Sequence, residues 1–349
     1  MHEFKSIMIN IDGSYAEGGG QILRTALALS VVTQKPFHIT DIRRNRSSPG
    51  LKKQHLTAVK ALEKLCLAKV SPFDVGTLEL TFEPCPFIPQ KLEIDIETAG
   101  AITLLLQSLL IPMVFAKDKT SLVIKGGTDV PWSMPVDFFK NVLVPHLSSL
   151  AKIELSVNKR GFYPRGGGEL AILVNPKGSM EPIILIEQGS LQNIKGVSFA
   201  TNTLHQARVA ERMEQQVTKQ LAPLDCPVNI AIDYVKSLSD GAGIVLWSKH
   251  QFGEKTVILG ADVLGERGVP SEKVANTIAK KLITEIASGA AVDRHMADNL
   301  IPFLGLVGGK VKTSTISEHV KANIYVTEKF LGVAFDVDDE NGIISVNPC

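Results

Sequence analysis

Three stretches of the chain open in the same way: small residues, mostly glycine, lead directly into an apolar helix, then a strand, a loop and a second helix. The first begins at Gly18-Gly19-Gly20, with a helix expected over 21–32, a strand over 36–42 and a second helix over 51–65. The second begins at Ala99-Gly100, runs through an apolar helix ending near Phe115 and a strand over 121–125, then passes a loop over 126–135 into a helix over 136–150. The third begins at Ser288-Gly289-Ala290, with a helix over 292–306, a strand near 311–316 and a helix from about 320 to 330. The likeness among the three is weak, and any α/β chain shows some accidental self-similarity. If it is a true repeat, no unit can bury its apolar face alone, and the units must share one core.

Their spacing is uneven. Gly18 and Gly100 lie 82 positions apart, Gly100 and Gly289 lie 189 apart, and the excess of 107 residues is the size of a small domain. The interruption is placed at 185–287. Within it the pattern reads as strands at 197–200, 228–235, 244–248 and 256–260, with helices at 206–221 and 271–286. Pro270-Ser271-Glu272 gives the last helix a cap-like start. The expected architecture is therefore α+β: a three-repeat core from 1–184 and 288–349, with a small inserted α/β domain. A net charge of +1 excludes a protein that coats polyanions through a global field, so any nucleic-acid contact must be local. Cys66, Cys85, Cys226 and Cys349 form no CxxC pair, and Met1-His2-Glu3-Phe4-Lys5 does not open a signal peptide. Reduced thiols in a cytoplasmic protein follow as the expectation, without a zinc cluster. The most apolar run, 101–116, is broken by Gln107 and Pro112 and is too short to span a bilayer, so no membrane role is expected.

Glycine-rich loops occur at Gly18-Gly19-Gly20, Gly126-Gly127, Gly166-Gly167-Gly168 and Gly308-Gly309, and none fits G-x-x-x-x-G-K-[ST]. The first precedes a helix, where free backbone N–H groups and the helix dipole can receive a phosphate; each also reads as a plain turn. Arg43-Arg44-Asn45-Arg46 follows a strand and precedes a helix, on the end of the fold where the repeat loops gather. Guanidinium groups grip phosphate oxygens in pairs, although a solvated charged loop is the plain alternative. Arg24 sits within apolar helix and would be costly to bury without an anionic partner. His55 shares a stripe with Leu51, Val59 and Leu62 and reads as a core histidine. His319 falls after the third strand and before its helix, where Arg46 and the Gly126-Gly127 loop fall in the other two units. Glu17 and Asp298 lie near helix starts, where a carboxylate often does no more than complement the dipole.

Several motifs in order resemble the RNA 3'-terminal phosphate cyclase family. They are Asp12-Gly13-Ser14-Tyr15-Ala16-Glu17-Gly18-Gly19-Gly20-Gln21-Ile22-Leu23-Arg24, Ile42-Arg43-Arg44-Asn45-Arg46 with Pro49-Gly50-Leu51, and Gln54-His55-Leu56-Thr57-Ala58. Gly126-Gly127-Thr128-Asp129, Gly161-Phe162-Tyr163-Pro164-Arg165-Gly166-Gly167-Gly168 and Ala297-Asp298 complete the set, so the resemblance covers nearly the whole chain. It implies a core of three βαβ-type repeats resembling a translation initiation factor C-terminal domain, with an inserted thioredoxin-like domain.

The resemblance also implies a reaction. A histidine takes AMP from ATP and releases pyrophosphate, AMP passes to an RNA 3'-phosphate, and the neighbouring 2'-hydroxyl closes a 2',3'-cyclic phosphate. His319 matches the nucleophile. Glu17 would hold a divalent metal, Mg2+ or Mn2+, on the departing phosphates. Arg24, Arg43, Arg46 and Gln54 would grip ATP phosphates or the RNA end. Gln107, Met134, Pro135, His295, Met296, Ala297, Asp298 and Asn299 would form the nucleotide site. Met134 stands where the family has a base-stacking proline, and His295 where it has a stacking tyrosine. Two alternatives share this kind of fold: a non-catalytic ribosome-assembly factor, which lacks the nucleophile, and an enolpyruvyl transferase, which needs no histidine-bound nucleotide.

Overall fold

The computed structural model describes residues 7–347. Cys349 and the segment Met1-His2-Glu3-Phe4-Lys5 lie outside the described residues. The first unit comprises β1 (Ile9–Asp12), α1 (Gly20–Thr33), β2 (Phe37–Thr40), α2 (Lys53–Cys66), β3 (Lys69–Val70) and β4 (Leu80–Glu83). Its strands lie in the order β1-β2-β4-β3, with β1 and β2 parallel across α1 and the other pairs antiparallel. The second comprises β5 (Lys91–Asp95), α3 (Ile102–Val114), β6 (Thr120–Gly126), α4 (Val136–Phe138), α5 (Val144–His146), β7 (Ala151–Lys159) and β8 (Gly168–Pro176). Its order, β5-β6-β8-β7, repeats the same pattern of one parallel and two antiparallel pairs.

After β9 (Ile183–Leu185) the chain builds β10 (Ser190–Thr201), α6 (Val209–Leu221), β11 (Val228–Val235), β12 (Ala242–Phe252), β13 (Lys255–Leu264) and α7 (Ser271–Ala287). These strands form a separate sheet, β11-β10-β12-β13. The chain then returns through α8 (Arg294–Val307), β14 (Gly309–Lys312), α9 (Glu318–Leu331), β15 (Phe335–Asp338) and β16 (Ile343–Val346). Here β14 pairs in parallel with β9, so residues on either side of the long excursion share one sheet, β15-β16-β14-β9. The boundary drawn between 184 and 185 falls inside β9.

Periodicity explains which faces are buried. In β8, Leu170, Ile172 and Val174 alternate inward, and in α6 Ala210, Met213, Val217 and Leu221 make one inward stripe. Helix α1 is apolar on nearly all sides, because it packs on α2, α3 and α9 at once. The sheet β11-β10-β12-β13 has α6 and α7 on one face, where Ile194 and Leu246 pack with Met213 of α6 and Ile278 and Leu282 of α7, while Phe199 and Val245 on its other face join the main core. Each such buried aliphatic or aromatic side chain contributes about 1.5–3 kcal/mol.

Two expectations need correction. The single helix expected over 136–150 is three pieces: α4, a π-helical turn Phe139–Leu143, and α5. Pro145 supplies no N–H to the turn before it, so the backbone widens there. The third unit's second helix starts at Glu318, not Val320, because Ser317 caps it by accepting from the Val320 N–H at 3.3 Å. His319 therefore lies in the first helical turn and not in the loop. No helix among the described residues is long and apolar enough to cross a membrane.

Candidate active site

The N-termini of α1 and α9 meet at the centre of the site. Gln21, in the first turn of α1, hydrogen-bonds both the His319 carbonyl oxygen, through Nε2 at 2.8 Å, and His319 Nδ1, through Oε1. One turn deeper, Thr25 Oγ1 donates to Asn323 Oδ1 at 2.7 Å, and Asn323 Nδ2 donates to the Asp298 carbonyl at 2.5 Å. These bonds fix the register of α1 on α9 and tie both to α8. The positive ends of two helix dipoles are thereby brought together, an arrangement that favours an anion and disfavours an imidazolium.

The glycine loop before α1 is fastened on both sides. Tyr15 stacks on Tyr325 of α9 with ring centroids 4.2 Å apart, and Asn45 Nδ2 donates to the Ser14 carbonyl at 3.0 Å. Gly18 holds a φ of +57°, a conformation that costs glycine little. At Gly20 a Cβ would stand 2.2 Å from His55 Nε2, so only glycine lets α2 approach this closely. His55 is buried, its Nδ1 accepting from the Lys52 N–H at 3.0 Å. Burial, with Arg24, Arg43 and Lys52 nearby, holds its pKa well below the usual histidine value.

Glu17 Oε2 receives Arg46 Nη2 at 2.9 Å and lies 3.4 Å from His319 Nε2, all three side chains being about two-fifths exposed. Burial holds the His319 imidazole below its ordinary pKa; Glu17 pulls it up, and Arg24 and Arg46 push it down. The ring is accordingly neutral near pH 7, as a nucleophile requires. Arg43 takes a left-handed backbone, φ +55°, and its Nη1 is held by the carbonyls of Ser48 and Gly50 at 2.8 Å each. Its Nε and Nη2 have no protein acceptor among the described residues. Gln54 Oε1 accepts from the Ala101 N–H at 3.3 Å and so steadies the start of α3.

Behind this cluster lies a narrow cleft with room for little more than ordered water. Gln21, Thr25, Gln107, Asp298, Asn299 and Asn323 make its polar wall; Leu110, Ile111, Phe139, Leu143, Pro302 and Phe303 make its apolar wall. Arg24 Nε donates to Gln107 Oε1 and Gln107 Nε2 to Asn299 Oδ1, each at 2.8 Å, and Asn299 Nδ2 donates to Asp298 Oδ1 at 2.7 Å. Burial pushes Arg24 down to about 10 and Asp298 up to about 7, while the attraction between them opposes both shifts. The site lacks a buried uncompensated charge because each is the other's counter-ion.

Of the residues expected at the site, Glu17, Arg24, Arg46 and His319 gather around the two helix starts, and Gln107, Asp298 and Asn299 line the cleft. Met134, Pro135 and His295 do not line it: the Met134 carbonyl accepts from Thr103 Oγ1 at 2.8 Å, Pro135 begins α4, and His295 lies exposed in the first turn of α8. Met296 and Ala297 are fully buried. Gln21, Thr25 and Asn323 were missed. Their signal was a polar pair four residues apart on each facing helix, 21 with 25 and 319 with 323.

Among the described residues no group of three or more His, Cys, Asp or Glu is arranged to hold a metal. A single half-exposed carboxylate, Glu17, faces the anion site. That donor set suits Mg2+, which keeps waters and binds through one or two carboxylates and substrate phosphates.

The family profile described as RNA 3'-terminal phosphate cyclase matches residues 15–337. The chain is similar to the RNA 3'-terminal phosphate cyclase of Pyrococcus abyssi, at 44% identity over 336 residues and 96% of each chain. It is similar to that of Pyrococcus furiosus at 44% over 331 residues, 95% of each chain. Likeness to the one from Methanosarcina barkeri is 41% over 342 residues, 97% of this chain and 99% of the other.

Proposed function

The chain belongs to the RNA 3'-terminal phosphate cyclase family, and from that premise we propose that it works through a covalent AMP on His319. Its activity is the cyclisation of RNA 3'-phosphate ends, a ligase-class reaction, and enzymes of this family use ATP. The observation that carries the histidine reading is the placement of His319 at two converging helix N-termini, beside Glu17, Arg24 and Arg46.

His319 Nε2 forms a bond to the α-phosphorus of ATP as the bond to the bridging oxygen breaks and pyrophosphate leaves with the electron pair. An oxygen of the RNA 3'-phosphate then displaces the histidine and takes the AMP. The RNA 2'-hydroxyl attacks that 3'-phosphorus, loses its proton, and AMP leaves from the closed ring. Arg24, Arg43 and Arg46 supply the charge that holds these phosphates, and the helix starts add backbone N–H donors. A divalent metal held by Glu17 would neutralise phosphate charge during pyrophosphate departure. The cleft between α1, α3, α8 and α9 is too narrow for a base as it stands, so a nucleotide there would require it to widen; Gln107 and Asn299 would then offer amides to a ribose or base edge.

We also read 1–184 and 288–349 as a catalytic core of three related units, supported by the strand order their sheets share, and 185–287 as an inserted thioredoxin-like domain. A cytoplasmic location is proposed from the dispersed cysteines.

The test is incubation with α-labelled ATP. The protein should acquire one acid-labile, base-stable AMP, and His319→Ala should abolish the label while leaving the circular dichroism unchanged. Undiminished labelling of that variant removes His319 from the mechanism, and a wild type that acquires no label reopens the assembly-factor reading.

A further inference from the structure

We propose that Gln21 is a positioning residue that fixes His319 in the tautomer with a proton on Nδ1, so that the Nε2 lone pair is the one presented for attack. The proposal rests on His319 being the nucleophile. It follows from which atoms can donate and which can only accept. The His319 carbonyl oxygen accepts from Gln21 Nε2 at 2.8 Å. A backbone carbonyl has no proton to give, so the amide nitrogen of Gln21 must face it. That choice places Gln21 Oε1 against His319 Nδ1. The amide oxygen also has no proton to give, so Nδ1 must carry one. Reversing the carboxamide would set its oxygen against the carbonyl oxygen, two acceptors in contact. The assignment therefore comes from the network itself.

A neutral imidazole has a single N–H, and with it on Nδ1 the lone pair is on Nε2. Nε2 is the ring atom on the side of Glu17 and Arg46, where the phosphates are proposed to bind; it lies 3.4 Å from Glu17 Oε2 without forming a hydrogen bond to it, so the carboxylate places no proton on Nε2. Gln21 is itself hard to displace. It is 6% exposed, and the Thr25–Asn323 bond one turn away holds the two helices in register. The side chain is neutral, which matters. A carboxylate in its place would hold Nδ1–H equally well, but it would also favour the charged, non-nucleophilic ring. An amide fixes the tautomer without raising the basicity.

The test uses the full chain, selectively labelled with 15N-histidine, with His319→Ala identifying the His319 signals. Near neutral pH the wild type should show a protonated Nδ1 and a pyridine-like Nε2. Gln21→Leu should show mixed or reversed tautomers and adenylate about tenfold more slowly or worse in a single turnover. Gln21→Glu, whose carboxylate also accepts from Nδ1–H, should keep the tautomer. A purely structural role would not move the tautomer signature. A wild-type spectrum with the proton on Nε2 overturns the proposal. So does Gln21→Leu with unchanged tautomer and rate, or Gln21→Glu with the proton on Nε2. If His319→Ala still becomes labelled, the nucleophile reading fails instead, and the spectrum reports the Gln21 contact independently.

Discussion

Replacing Arg46 with methionine and Glu17 with glutamine should move the acid limb of enzyme adenylation in opposite directions. Attack needs a neutral His319, so the rate is lost as pH falls through the pKa of that ring, and a higher pKa moves the limb to higher pH. Glu17 Oε2 is 3.4 Å from His319 Nε2. Two unit charges at that distance interact by about 1.2 kcal/mol in the water limit, and salt screening at a half-exposed site trims this further. At about 1.4 kcal/mol per pKa unit, Glu17→Gln should lower the limb by about half a unit to one unit. Arg46→Met removes a cation that disfavours the imidazolium and frees Glu17 from its 2.9 Å partner. Both effects raise the limb, by roughly half a unit. The assay is single-turnover adenylation with labelled ATP at fixed saturating divalent metal, read as kcat/KM from about pH 5 to 8, because that ratio reports the free enzyme. Shifts of the same sign, or none, would refute the claim that Glu17 and Arg46 set the charge of His319.

Two further outcomes test the phosphate grip and the ring closure. Arg43→Ala should slow cyclisation about tenfold to a hundredfold, since a charged hydrogen bond is worth roughly 1.5–3 kcal/mol, whereas Lys52→Ala should do much less; equal losses measured on the same RNA would indicate a diffuse field instead. An RNA ending in 3'-phosphate should become phosphatase-resistant with ATP and metal, while a terminal 2'-deoxy sugar should stall as the adenylate; a gel showing a closed ring on the deoxy end would rule out the 2'-hydroxyl as the attacking group.

The helices of the site were legible because their signals are local. Apolar runs after Gly18-Gly19-Gly20 and Ala99-Gly100 mark α1 and α3. The basic-loop motif put Arg43 and Arg46 where the repeat loops gather, and there Arg46 pairs with Glu17 of the loop before α1. The strands were read less completely. In β5 the alternation is present, with Leu92 half-buried and Ile94 buried between exposed Lys91, Glu93 and Asp95, yet the strand was overlooked because it is only five residues long. Strand β9 has three residues and exists because β14, more than a hundred positions later, supplies its hydrogen bonds. The break within 136–150 followed from Pro145, a local signal whose effect depended on what the widened turn packs against.

The sequence alone determined the backbone's permissions: where glycine allows a left-handed turn, where a helix can be buried on all sides, and where charge collects. Tertiary structure alone decided which polar groups meet. Gln21 and His319 lie 298 positions apart, and neither residue's neighbours reveal the other. Periodicity and capping act over one or two turns, whereas the donor–acceptor match that sets the His319 tautomer arises only once α1 and α9 pack in register.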